Sequence, residues 1–280
     1  VALMDRYVDD NARESYSKAD VWPEGKMPDV QDNQCKPYIE WHIPKELKTK
    51  AIQIIYSGGA YEVNNPDGFE AAPIRRYLNE KGMAVVTLKY RTPRPAKGLA
   101  KHTTAWQDLQ RAIRIVRSEA AQKGLDPERI GIMGSSAGGH LTLMGVTSSL
   151  HSSYRPVDEL DELPCNVQWG IGIYPAYVLT DGLDGPNTNG GNEDDAVHAP
   201  EFSFDLKTAP MLFVHGDADG FAAMNSVKTW EKMAMMGVQS ELHTLATRDH
   251  CFYESASPGT GSYTFMDRIW EFFTAKGFNK

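Results

Sequence analysis

One serine in this chain lies in a sequence context that could make it a nucleophile. Ser136 stands between two glycines in the pattern Gly134-x-Ser136-x-Gly138, whereas Ser135 has no glycine two residues before it. The pattern therefore selects Ser136. A serine hydroxyl is a weak nucleophile by itself, and it needs a base, a carboxylate that orients the base, and hydrogen-bond donors for an oxyanion. The rest of the chain must supply these groups.

The residues around Ser136 predict a strand, a sharp turn and a helix. Ile130, Ile132 and Met133 form an apolar run that is typical of a buried strand, and residues 141–146 are apolar at helical spacing. In this context the Gly-x-Ser-x-Gly pattern indicates a nucleophile elbow, whose sharp turn favours glycine. On the motif alone, a glycine-rich turn that only allows close packing is the alternative.

The candidate base is His250, in the loop after the last predicted strand, and His198 is the reserve candidate. Asp217 and Asp219 follow another predicted strand, residues 211–214, and either carboxylate could orient an imidazolium. The spacing does not separate the two aspartates. The order serine, acid, histidine along the chain is the order found in α/β-hydrolases.

Donors for an oxyanion are predicted in the loop that follows the apolar strand at residues 51–56. The run Gly58-Gly59-Ala60 leaves backbone N–H groups unobstructed by large side chains. Ala137, the residue after the nucleophile, would supply a further N–H group. Functional groups gather at the carboxyl ends of the strands in open parallel sheets, so we expect these loops to meet.

Strands and helices alternate along the chain, which predicts an α/β fold with a mostly parallel sheet and helices on both faces. The predicted strands are residues 38–43 (an edge strand), 51–56, 83–88, 130–133, 169–174, 211–215 and 240–245, and the predicted helices are 69–81, 104–123, 141–146, 227–236 and 263–276. Residues 1–36 are predicted to be an N-terminal arm over the surface, and residues 37–280 a single catalytic domain. Residues 175–207 form a long polar insertion, in which the run Asn187–Asn192 could bind sugar hydroxyls.

Composition narrows the choice of partners. The net charge of −8 disfavours nucleic acid and anionic membrane surfaces, and no apolar run approaches the roughly 18 residues of a membrane span. The three cysteines are too few and too scattered for a disulfide framework or a zinc site, although one disulfide is possible. We therefore expect no metal and no cofactor. Because the chain begins at Val1, any signal peptide would already be absent; a secreted or periplasmic location is expected, with a cytoplasmic one as the alternative.

Taken together, these motifs resemble carbohydrate esterases of the acetylxylan esterase and BD-FAE-like group, which have the α/β-hydrolase fold. The segments that carry the resemblance are Val21-Trp-Pro-Glu-Gly25, Ser57-Gly-Gly-Ala-Tyr61, Tyr77-Leu-Asn-Glu-Lys-Gly82, Tyr90-Arg91, residues 108–117, residues 126–130, Gly134-Ser-Ser-Ala-Gly-Gly-His-Leu141, Tyr174-Pro175, His215-Gly-Asp-Ala-Asp219 and His250. The family acid ends the His-Gly-x-x-Asp stretch, so the resemblance implies Asp219. It also implies Gly59, Ala60 and Ala137 as the oxyanion donors.

The resemblance implies a serine esterase that hydrolyses short acyl esters, acetyl first, on a polysaccharide or oligosaccharide. Tyr61, Asn64 and Asn65, beside the oxyanion loop, are weak candidates for contacts with sugar hydroxyls. Two departures bear on the substrate: Cys251 stands where the family has glycine after the histidine, and Gly-Phe-Ala-Ala follows Asp219 in place of Pro-x-Val-Pro.

Three other functions are weighed against this interpretation. A feruloyl or other sugar-ester carboxylesterase needs the same catalytic groups. A serine peptidase is also compatible with the fold, but no propeller or large cap domain that would restrict peptide access is visible in the sequence. A non-catalytic, hydrolase-like binding protein would be expected to lack Ser136, His250 or the acid, and this chain has all three.

Overall fold

The apolar segments of the sequence form an eight-stranded sheet in the computed structural model, which describes residues 13–96, 98–180 and 196–280. Its strands are β1 (Arg13–Asp20), β2 (Tyr38–Pro44), β3 (Ile52–Tyr56), β4 (Ala84–Lys89), β5 (Ile130–Ser135), β6 (Trp169–Ile173), β9 (Met211–Gly216) and β10 (Glu241–Leu245), and a separate pair consists of β7 (Leu179–Thr180) and β8 (Val197–His198). The order across the sheet is β1-β2-β4-β3-β5-β6-β9-β10. Strand β2 is antiparallel to both its neighbours, and the other pairs of the sheet are parallel.

Helices cover both faces of the sheet, as the alternation predicts. They are α1 (Ala72–Glu80), α2 (Thr103–Ala120), α3 (Ala137–Thr147), α4 (Met224–Met235), α5 (Phe252–Ser255) and α6 (Gly261–Lys276). Helices α2, α3 and α4 contribute to one apolar core, and α1 and α6 contribute to the other. Successive residues of a strand face opposite sides, so Ile54 lies in the first core and Ile55 in the second. This explains why the central strands are apolar at every position.

The two edges of the sheet differ from its centre. All positions of β5 and β6 are buried, whereas every position of β10 is at least partly exposed. Strand β10 pairs only with β9, and β1 forms the opposite edge. The strand that leads into the His250 loop is therefore less protected from solvent than the central strands, although the opposite edge strand β1 is more exposed still.

Residues 13–20 form a strand, although the sequence predicted an irregular arm there. Because β1 pairs with β2 from Ser15 to Asp20, the prediction that residues 38–43 form the edge strand is wrong. Half of Tyr16 is exposed, and an edge strand of this kind can be polar without losing its backbone hydrogen bonds. Residues 1–12 lie outside the described residues, and a domain boundary at residue 36 stays a prediction.

Within the long insertion, strands β7 and β8 pair antiparallel. The predicted sugar-binding run at residues 187–192 lies outside the described residues. Cys35, Cys165 and Cys251 are free thiols, so the disulfide that the sequence allowed is absent among these three. Within the described ranges, no helix has the length and apolar character to cross a membrane.

A buried ion pair joins Arg91, which follows β4, to Asp108 in α2, and Asp108 also binds Trp22 of the N-terminal segment. The carboxylate of Asp108 accepts hydrogen bonds from Arg91 Nε at 3.0 Å, from the Arg91 backbone N–H at 2.8 Å and from Trp22 Nε1 at 2.7 Å. Neither charged side chain is exposed to solvent. The carboxylate of Asp108 therefore fixes both Trp22 and the segment that follows β4 against α2.

We expect Asp108→Asn to lower the free energy of unfolding by about 3–5 kcal/mol, because it leaves the Arg91 guanidinium buried without a counter-charge. Urea unfolding followed by tryptophan fluorescence measures this loss. Asp20→Asn is the control, since Asp20 forms an exposed pair with Lys36 and its loss should leave the urea midpoint nearly unchanged. Equal midpoints for the two variants would contradict the prediction.

Candidate active site

Ser136 occupies a strained turn between β5 and α3. Its backbone has φ +55° and ψ −118°, which a non-glycine residue rarely adopts. The turn is so tight that a Cβ atom at position 134 would lie 2.3 Å from the carbonyl oxygen of Gly138, which explains the glycine there. The strand, sharp turn and helix predicted around this serine are therefore present.

A continuous chain of hydrogen bonds joins three of the predicted residues. Ser136 Oγ lies 2.8 Å from His250 Nε2, and His250 Nδ1 lies 2.6 Å from Asp219 Oδ2. The acid follows β9 and the histidine follows β10, and these strands are parallel neighbours. Asp217, the other candidate acid, is exposed and accepts a hydrogen bond from the backbone N–H of Thr247. The arrangement has the connectivity of a nucleophile, base and orienting acid.

The carboxylate of Asp219 is stabilised in its ionised form. Burial raises its pKa, but hydrogen bonds from His215 and His250 and from the backbone N–H of Phe221 outweigh burial and hold the pKa at about 2. His215 Nε2 lies 3.3 Å from Asp219 Oδ2, and His215 Nδ1 is 2.8 Å from Ser226 Oγ. Asp219 is therefore an anion at neutral pH and can stabilise a protonated His250.

Two aromatic rings flank the imidazole of His250. The Tyr174 ring lies 4.7 Å from it and the Phe221 ring 4.5 Å, between centroids. Phe221 belongs to the segment after Asp219 that departs from the family pattern. Its backbone N–H donates to Asp219 Oδ1 at 2.8 Å, so this segment still holds the carboxylate of Asp219 by a hydrogen bond. It also places an aromatic ring against the imidazole of His250.

The loop after β3 carries unpaired backbone donors. The N–H of Gly58 donates to Glu70 Oε2 at 2.7 Å, whereas those of Gly59, Ala60 and Ala137 make no hydrogen bond within the described chain. Gly59 and Ala60 have φ of +115° and +56°. A side chain at position 59 would collide with Val63, whose carbonyl oxygen would lie 2.4 Å from its Cβ atom. The three predicted oxyanion donors are thus free to bind an acceptor.

Glu70 is a buried acid that sequence reasoning missed. Its Oε2 atom accepts from Gly58 and its Oε1 atom accepts from the Tyr174 hydroxyl, each at 2.7 Å. Burial raises the pKa of Glu70, and these two hydrogen bonds lower it in part. One carboxylate therefore connects the loop that holds the unpaired donors to the tyrosine beside His250. No spacing or motif in the sequence indicates this role.

These groups open onto a cleft of about 350 Å³. Its wall is formed mainly by small and apolar residues, and consists of Ser57, Gly58, Gly59, Ala60, Val63, Asn65, Gly68, Phe69, Glu70, Ser136, Tyr177, Phe221, His250 and Cys251. Among the described residues of this wall, Glu70 is the one acidic residue, and both its oxygens accept hydrogen bonds from protein donors. The cleft is thus suited to a small neutral group at Ser136.

The predicted sugar contacts require a correction. Tyr61 is 1% exposed and its hydroxyl lies 2.7 Å from His140 Nδ1, while Asn64 is buried and donates to the Ser57 carbonyl oxygen. The prediction that these two side chains contact the sugar is wrong, because both are buried and neither is part of the cleft wall. Asn65 does line the cleft. His198, the reserve base, lies on β8 next to Thr229 rather than near the elbow serine.

Sequence comparison identifies a matching family model and several similar proteins. Residues 39–176 match the family model BD-FAE. A probable carboxylic ester hydrolase, LipM of Mycobacterium tuberculosis, is 29% identical over 142 residues, which are 50% of this chain and 31% of LipM. An acetylxylan esterase of Xylanibacter ruminicola is 32% identical over 129 residues, 43% of this chain and 25% of that protein. The chain thus spans about a quarter to a third of the length of these relatives.

Solved structures agree with the chain over nearly its whole length. An acetyl ester-xyloside bifunctional hydrolase from Caldicellulosiruptor lactoaceticus superposes with a TM-score of 0.77 at 23% identity, covering 94% of this chain and 97% of that one. The esterase Est2 of Thermogutta terrifontis superposes with a TM-score of 0.68 at 22% identity, covering 91% and 96%. At these identities the likeness establishes the fold.

Proposed function

The chain has the α/β-hydrolase fold and matches BD-FAE over residues 39–176, and on this premise we propose that it is a serine carboxylic-ester hydrolase that removes acetyl groups from a polysaccharide or oligosaccharide. The observation that carries the proposal is the hydrogen-bond chain from Ser136 through His250 to Asp219, at the wall of a cleft with unpaired backbone donors. A non-catalytic binding protein would have no need of these hydrogen bonds between Ser136, His250 and Asp219.

The first half of the reaction forms an acyl-enzyme. As Ser136 Oγ attacks the ester carbonyl carbon, His250 Nε2 takes the hydroxyl proton. The carbonyl oxygen becomes an oxyanion, which accepts hydrogen bonds from the N–H groups of Gly59, Ala60 and Ala137. When the tetrahedral intermediate collapses, His250 returns the proton to the departing sugar alcohol, and the acyl group stays on Ser136.

Water completes the reaction. His250 takes a proton from the water as its oxygen attacks the acyl carbon, and the second oxyanion occupies the same donors. Collapse releases acetate, and the proton on His250 returns to Ser136. Asp219 stays ionised through both halves because its pKa of about 2 is far below neutral pH. It therefore stabilises the imidazolium whenever it forms.

Similar proteins and the shape of the cleft both support an acetylated carbohydrate as the substrate. A relative by sequence is an acetylxylan esterase, and the structurally similar Caldicellulosiruptor protein is an acetyl ester-xyloside hydrolase. In addition, Val63, Phe69 and Tyr177 narrow the cleft around Ser136, which suits a short acyl group. We propose that the acyl group lies within this cleft while the sugar extends toward solvent past Asn65.

The test combines a covalent probe with product analysis. Paraoxon, which phosphorylates esterase 2 of Thermogutta terrifontis, should add one diethylphosphoryl group to this protein, on the peptide that contains Ser136. In parallel, acetate release is measured from acetylated xylo-oligosaccharides and 4-nitrophenyl acetate, with feruloylated sugar and a peptide amide as alternative substrates.

The outcomes separate the parts of the proposal. Labelling at Ser136 together with acetate release from the oligosaccharide supports both the serine mechanism and the substrate class. Labelling without release from any carbohydrate ester would keep the serine mechanism and overturn the substrate class. No labelling and no ester hydrolysis would overturn the enzymatic function.

A further inference from the structure

Three potential metal ligands converge one helical turn behind the elbow serine. They come from separate parts of the chain: His102 precedes α2, His140 lies in α3, and Glu201 follows β8. His140 Nε2 lies 2.8 Å from Glu201 Oε1, and His102 Nδ1 lies 3.9 Å from the same oxygen. All three ligand atoms lie within 4.8 Å of one another, which no other group of three such residues in the described ranges achieves.

One of these atoms has no partner. His102 is only 9% exposed, and its Nδ1 atom is buried without a hydrogen bond. The distance of 3.9 Å to Glu201 is too long for one. A buried polar atom without a partner destabilises a fold, so such an atom in a native structure needs an explanation. A cation held between the histidines and the carboxylate would satisfy it.

The surroundings suit metal ligation. The Tyr61 hydroxyl lies 2.7 Å from His140 Nδ1, so its oxygen can accept a hydrogen bond from Nδ1–H in the tautomer that leaves the Nε2 lone pair free. Metal-bound histidines are commonly oriented by such a hydrogen bond on their other nitrogen. Because the proton only moves from one nitrogen of a neutral ring to the other, metal binding at His140 requires no net loss of a proton.

We propose that His102 Nδ1, His140 Nε2 and Glu201 Oε1 bind one Zn²⁺ ion, with water as the fourth ligand. Two imidazoles and one carboxylate are a ligand set that zinc accepts in tetrahedral geometry. Ligand atoms about 2.0–2.1 Å from zinc lie about 3.3 Å apart in a tetrahedron, between the two distances observed here. The ion would join three chain segments beside the elbow helix and takes no part in ester hydrolysis. From the sequence we expected no metal, because the three cysteines are too few and too scattered for a zinc site; the proposed ligands lie far apart in the chain and share no motif.

The experiment uses the full chain after removal of metal with a chelator and dialysis. Zn²⁺ is added, and bound metal is measured by elemental analysis and isothermal titration calorimetry. We expect one Zn²⁺ per chain and a higher melting temperature with Zn²⁺ than without it. His102→Asn and Glu201→Gln should each lose the bound zinc. His243→Asn should retain it, because His243 forms a partly exposed pair with Glu241 on β10.

Two results would overturn the site. One is the absence of stoichiometric zinc in the wild-type chain, and the other is unchanged zinc binding in both ligand variants. If a ligand variant does not fold, Co²⁺ replaces Zn²⁺ in the wild-type protein. The visible absorption spectrum then distinguishes a tetrahedral site with nitrogen and oxygen ligands, which supports the proposal, from octahedral Co²⁺, which contradicts it.

Discussion

Replacing Ser136 by alanine is expected to lower kcat for an acetyl ester by about 10⁶-fold. The variant keeps the oxyanion donors and the base, but the acyl group has no oxygen to which it can be transferred. Spectrophotometric assay of 4-nitrophenyl acetate hydrolysis with enzyme in excess measures the residual rate. Circular dichroism of the variant shows whether the fold is retained.

The neighbouring serine provides the control for this substitution. Ser135 ends β5, and its hydroxyl lies 3.5 Å from that of Tyr253 rather than within hydrogen-bond distance of His250. Ser135→Ala should therefore retain kcat within about tenfold and should still be labelled by paraoxon. Comparable activity of the Ser136→Ala variant and the wild type would exclude the acyl-enzyme mechanism.

Asp219→Asn is expected to lower kcat by about 10⁴-fold with little change in KM. An amide at this position can donate a hydrogen bond to His250 Nδ1. This selects the tautomer with the proton on Nε2, which cannot accept the proton of Ser136. The amide also lacks the charge that stabilises the imidazolium. Steady-state kinetics on the acetyl ester provide the measurement.

Asp217→Asn is the matched control, because it makes the same chemical change two residues away. Asp217 is exposed and contacts the Thr247 backbone rather than His250, so its loss should leave kcat nearly unchanged. A large loss in the Asp217 variant with full activity in the Asp219 variant would reverse the assignment of the acid.

The fold and the three hydrogen-bonded residues Ser136, His250 and Asp219 could be predicted in large part because their sequence signals are local. Apolar periodicity identified the strands, and the glycines around Ser136 identified the elbow, because a sharp turn restricts nearby residue types. His250 followed from its place after the last strand. The choice between Asp217 and Asp219 required the resemblance, since both residues follow the same strand and only their three-dimensional positions separate them.

The remaining features depend on contacts between distant segments. Glu70 acts through its hydrogen bonds to Gly58 and Tyr174, and nothing in its own sequence neighbourhood records them. The edge strand β1 is polar on an open surface, so its pairing with β2 leaves no apolar alternation to detect. The proposed sugar-contact roles of Tyr61 and Asn64 failed for a similar reason, because burial cannot be inferred from proximity to the oxyanion loop.

The exposure of β10 has a consequence for whether catalytic activity or the packed core is lost first on heating. Ser136 follows a strand that is buried at every position, whereas His250 follows an edge strand that is partly exposed throughout. Hydrogen-exchange rates would then differ along the sheet, with β10 opening at lower free energy than β5. The base can thus detach while the nucleophile stays in its turn. We therefore expect catalytic activity to report the integrity of one edge of the sheet and to be lost on heating before the hydrophobic cores unfold.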